Sequence, residues 1–102
     1  MNVIVITSFA AKADDVKRVL SGEHAATAKD ISEDARSRGC VHHVFAEDAD
    51  GNAVVIDEWD SAQSFDGFFT GNADIPKIVA AVGVTGPPTS TVYRILDTPD
   101  RF

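Results

Sequence analysis

The stretch Cys40 to Gly71, CVHHVFAEDADGNAVVIDEWDSAQSFDGFFTG, decides the fold. Val41 to Glu47 and Ala53 to Trp59 alternate and are rich in β-branched and aromatic residues, the mark of strands. Asp50-Gly51 between them is a strong hairpin signal, because both residues tolerate the positive φ of a tight turn. With a two-residue loop centred on that dipeptide, His42 falls opposite Trp59, His43 opposite Glu58 and Val44 opposite Asp57. One face then carries His42, Val44, Ala46, Val55, Asp57 and Trp59, and the other His43, Phe45, Val54, Ile56 and Glu58. Asp60 with Gln63 forms a capping box that opens a short helix. Its inner stripe is Ala62, Phe65, Phe68 and Phe69, and Gly71 ends it.

Outward from this segment, Asn2 to Phe9 reads as a buried first strand. Asp14 to Arg38 reads as helical, with Val16, Leu20, His24, Thr27, Ile31 and Ala35 on one stripe and Gly39 as the stop. Gly22 costs about 1 kcal/mol relative to alanine, so Ser21-Gly22 is the weak point of that span. Pro76 opens another short helix carrying Ile78, Val79 and Val82, closed by Gly83. Gly86-Pro87-Pro88 is a rigid loop, Thr91 to Leu96 a last strand, and Asp97 to Phe102 a tail. The order is β-α-β-β-α-β, a ferredoxin-like α+β fold with a four-stranded antiparallel sheet and its helices on one face. Residues 1–102 make one domain. The strands carry large apolar groups on both faces and helices cover one, so a homodimer packed through the other face is expected.

Composition bounds the function. Of 102 residues, 44% are hydrophobic and 25% charged, and the net charge is −7. The nine basic residues are scattered, which excludes a nucleic-acid surface. The single Cys40 excludes an intramolecular disulfide and a multi-cysteine metal site. No segment approaches the roughly 20 apolar residues of a membrane helix, and Met1 to Ile6 lacks the features of a signal peptide. No membrane association and a cytoplasmic location are the expectations. Nucleophile-elbow, phosphate-loop and dinucleotide motifs are absent from the sequence.

The element order, with Asp50-Gly51-Asn52, Val54-Val55, Asp57-Glu58-Trp59-Asp60-Ser61 and Phe65, resembles the antibiotic biosynthesis monooxygenase branch of the dimeric α/β-barrel proteins. Gly39-Cys40-Val41-His42-His43 is similar to that family's glycine-led second strand. The resemblance spans nearly the whole chain. It implies a dimeric barrel and oxygenation of a small planar phenol or hydroquinone, with no metal, flavin or other cofactor. In such a mechanism the deprotonated substrate passes an electron to O₂, and the protein supplies a dry apolar cage and a polar group for the phenolate. The alternative is a non-catalytic protein of the same fold that binds a small ligand. The haem-degrading branch is not matched, because Thr7, Phe68 and Lys77 stand where it keeps an asparagine, a tryptophan and a histidine.

The candidate substrate walls are Thr7, Trp59, Phe65, Phe68 and Phe69. The candidate catalytic residues are His42, His43 and His24. Adjacent on a strand, His42 and His43 point to opposite faces, so at most one belongs to a given pocket. An ordinary histidine titrates near neutrality and suits a general base. His24 falls in the middle of the helix stripe, where small and polar residues leave space above the sheet. His24, His42 and Asp57 form a two-histidine, one-carboxylate set of the kind that suits iron or zinc, although they lack a metal-motif spacing. A buried Trp59 needs a partner for its N–H. Cys40 has no basic neighbour to activate its thiol.

Overall fold

The computed structural model describes residues 1–84 and 86–102. Four strands and four helices follow in the order β1 (Val3–Lys12), α1 (Ala13–Ser21), α2 (Ala25–Ser37), β2 (Cys40–Glu47), β3 (Asn52–Trp59), α3 (Ala62–Gly71), α4 (Ile75–Val82) and β4 (Thr89–Arg94). The strands form one antiparallel sheet in the order β2-β3-β1-β4. The ferredoxin-like α+β architecture expected from the element order is therefore present. The long helical span is divided in two, because the backbone at Gly22 leaves the helical region at φ −101° and ψ −131°. The last strand begins at Thr89, two residues before the expected Thr91.

The β2-β3 hairpin differs from its two-residue reading. Asp48 N–H donates to the Asn52 carbonyl at 2.9 Å, and Gly51 N–H to the Asp48 carbonyl at 3.0 Å. Ala49, Asp50 and Gly51 therefore make a three-residue loop, with Gly51 at φ +80°. The Asp48 carboxylate supports it by accepting the N–H groups of Asp50 and Asn52, both at 2.9 Å. The extra loop residue slips the register by one. His42 pairs with Glu58, His43 with Asp57 and Val44 with Ile56. Since side chains alternate across a strand, that slip exchanges the two faces of β2 relative to β3. A bulge between Cys40 and His42 then returns Cys40 to the side of Trp59, leaving Val41 exposed.

The core lies between the sheet and α2 and α3. Val3, Val5, Ala35, Cys40, Trp59, Phe65 and Phe68 form its buried cluster. The indole of Trp59 is wholly buried and meets Phe65 edge-on at 5.8 Å and Phe68 at 5.2 Å. The cap of α3 is Ser61, one residue beyond the expected Asp60. Its hydroxyl accepts the Ser64 N–H at 3.0 Å. Ahead of α4, the side-chain oxygen of Asn72 accepts the N–H groups of Asp74 and Ile75. No residue of α4 is fully buried, so it covers the sheet loosely.

The face away from the helices carries Ile4, Ile6, Val54 and Ile56, all half-buried, beside the exposed Val44 and Tyr93. Among the described residues, no helix is long and apolar enough to cross a membrane.

Candidate functional site

Between the helix layer and the sheet lies a cavity of about 260 Å³. Its floor is the helix-side face of β1, β3 and β2: Thr7 and Phe9, Val55 and Asp57, His43 and Phe45. Phe65, Phe68 and Phe69 of α3 and Ile75, Ile78 and Val79 of α4 supply opposing walls. The space exists because α4 stands off the sheet and because the helix side of β1 and β3 ends in small or polar groups at Thr7, Val55 and Asp57. Phe65 and Phe69 have ring centroids 5.4 Å apart, so the α3 wall is a continuous aromatic surface.

In this apolar space one polar unit stands out. Asp57 is 5% exposed, and a buried carboxylate requires partners. It has two. Its Oδ1 lies 2.7 Å from Nδ1 of His43, and its Oδ2 accepts the Trp59 indole N–H at 3.2 Å. With Nδ1–H donated to Asp57, the imidazole presents Nε2 as its acceptor. Among the described residues Nε2 has no hydrogen-bond partner. The ring is held edge-on against Phe45, with centroids 5.4 Å apart, and stays 40% exposed in its side chain. A histidine oriented by a buried carboxylate has the geometry of a general base. Thr7 is engaged separately, its hydroxyl 2.8 Å from that of Ser90.

The other expected residues have different places. His42 lies on the bare face with Val44 and Ala46, away from the cavity. His24 is the residue before α2, where its Nε2 lies 3.4 Å from a carboxylate oxygen of Glu23; it does not line the cavity. The break at Gly22 resets the helical phase, so Ala28, Ile31 and Ser32 of α2 face the space in place of His24 and Thr27. The proposed metal set of His24, His42 and Asp57 is thus not assembled. Among the described residues no group of three His, Cys, Asp or Glu side chains is placed to hold a metal ion. Trp59 lies beneath the aromatic wall as its support, while Phe65, Phe68, Phe69 and Thr7 line the cavity.

Sequence reasoning missed Asp57 as the partner of His43. A signal was present: Val55, Asp57 and Trp59 alternate on one strand face, and a carboxylate between two large apolar groups must be paired. The assumed register put Asp57 opposite Val44 and hid that pairing. Phe9, Phe45 and the α4 wall were also missed as cavity residues. Cys40 is buried, and that burial, with secondarily the negative charge of Asp57, pushes its thiol up to about 11. Its Sγ–H donates to the His42 carbonyl at 3.2 Å.

No family model matches the chain, and no curated protein does. Solved structures do. The chain is 26% identical to Rv0793 from Mycobacterium tuberculosis, with a TM-score of 0.60, covering 97% of this chain and 99% of that one. It is 21% identical to a monooxygenase from the gene ActVA-Orf6 of Streptomyces coelicolor in complex with nanaomycin D, at a TM-score of 0.61 and with 95% and 92% of the two chains covered. It is 15% identical to SnoaB, a cofactor-independent oxygenase from Streptomyces nogalater, at a TM-score of 0.64 and with 98% of each chain covered. The chain has the fold of the antibiotic biosynthesis monooxygenases.

Proposed function

We propose that this protein is a cofactor-independent oxygenase of small planar phenols or hydroquinones, with His43 as its general base. The carrying observation is the Asp57-tethered imidazole on the wall of an aromatic cavity. A flat aromatic ring fits between Phe65, Phe68 and Phe69 on one side and the strand floor on the other. A phenolic O–H directed at Nε2 of His43 would lose its proton there, with Asp57 stabilising the imidazolium that forms. The electron-rich phenolate then reduces O₂. In the overall reaction one oxygen atom enters the ring to give a quinone and the other leaves as water, with substrate supplying all the electrons.

Support comes also from the likeness to SnoaB, which is named a cofactor-independent oxygenase, and to the monooxygenase with nanaomycin D. The protein would act as a homodimer. The half-buried Ile4, Ile6, Val54 and Ile56 make an apolar sheet face of the kind that a second copy covers.

Oxygen uptake with a panel of hydroquinones tests the reading. Wild type and His42→Ala are expected to consume oxygen alike, and His43→Ala to lose most of the activity. Equal uptake by wild type and His43→Ala would remove His43 from the mechanism. The absence of uptake across the panel, with ligands nevertheless bound, would favour the second reading of a non-catalytic binding protein. The 40% exposure of the His43 side chain speaks for that second reading, since an uncovered base does not by itself exclude water.

A further inference from the structure

We infer that the cavity selects uncharged planar phenols and rejects their carboxylated counterparts. This deepens the oxygenase reading, on which it rests for the phenol. The charge rule comes from the wall itself.

Among the described residues, His43 and Asp57 are the ionisable ones lining the cavity, and neither lysine nor arginine lines it. With Asp57 ionised, the pair carries a net charge of −1 when His43 is neutral and zero when it is protonated. In neither state is it positive. Among the described residues, the two other polar wall residues, Thr7 and Ser32, offer hydroxyls, and that of Thr7 is already engaged with Ser90. The remaining wall is aliphatic and aromatic. With His43 neutral, a carboxylate brought into this space would lose its hydration and meet neither a cation nor a cluster of N–H donors among the described residues. It would also approach the Asp57 charge. The protein's net charge of −7 acts in the same direction before binding, by lowering the local concentration of anions. A neutral phenol incurs neither penalty, because its single O–H has an acceptor in the free Nε2 of His43.

The test compares 6-hydroxy-2-naphthoic acid with its methyl ester, which share the ring and the phenol and differ in charge. Calorimetric titration under nitrogen measures binding without turnover. The ester is expected to bind wild type at least about tenfold more tightly than the acid, although it is the larger molecule. Ser32→Lys places a cation on the half-buried α2 wall and should bring the acid to within about threefold of the ester. Ser32→Gln, neutral and also long, should keep the wild-type preference. Acid and ester binding equally to wild type would overturn the charge rule, whether or not Ser32→Lys folds. An ester that binds but consumes no oxygen once air is admitted would count against the oxygenase reading and leave the charge rule standing. If neither molecule binds, both fail.

Discussion

On the helix side of the sheet, Val5 and Trp59 are sealed beneath α2 and α3, and the polar unit of Asp57 and His43 opens into a cavity. On the other side Ile4, Ile6, Val54 and Ile56 form a half-buried apolar field, and none of them lines the cavity. Both surfaces come from the same strands, often from adjacent residues. His42 and His43 show the contrast most sharply. One joins the bare face opposite Glu58, and the other is tied to a buried carboxylate among aromatic rings. Neighbouring histidines thus have different partners because strand alternation gives them different surroundings.

The largest expected effect would break the comparison at that pair. His43→Ala should lower oxygen uptake by about 10²- to 10⁴-fold, the usual contribution of a general base, while His42→Ala leaves it unchanged. Loss of activity in both variants, or in neither, would show that the two faces do not divide function in this way. Next comes Trp59→Ala, which removes the buried support of α3 and the donor to Asp57. It should destabilise the fold by about 3–5 kcal/mol, read from urea denaturation. On the bare face, Ile56→Asp should leave the cavity intact but weaken self-association by about 2 kcal/mol or more, measured by sedimentation equilibrium. A wild-type chain that sediments as a monomer would sink the homodimer outright. Smallest of all, Ser61→Ala removes the α3 cap and should cost about 1 kcal/mol of stability with oxygen uptake retained, since Ser61 stands outside the cavity.

Much of the architecture was legible because its signals are local. Asp-Gly marks a hairpin, three phenylalanines at helical spacing mark an inner face, and Gly83 at φ +83° closes α4 where a stop was expected. The aromatic wall of the candidate site followed from the same spacing. The placement of the candidate base His43 did not, because it depends on the hairpin register and on the break at Gly22. Asp50-Gly51 suits a two-residue loop and equally the end of a three-residue loop, since both place glycine at positive φ. An unbroken stripe from Val16 to Ala35 carries His24 inward, and Gly22, the weak point of that span, interrupts its periodicity.

The sequence by itself therefore determined the element order, the hairpin, the aromatic helix and the rule that His42 and His43 must face opposite ways. Those properties depend on residues within a few positions of one another. Tertiary structure decided which histidine faces the cavity. The Asp48 carboxylate secures the longer loop, the bulge at Val41 returns Cys40 to the core, and Asp57 and Trp59 are buried together beneath α3. A shift of one residue exchanges the faces of the entire strand, and its outcome rests on the joint burial of groups far apart in the chain.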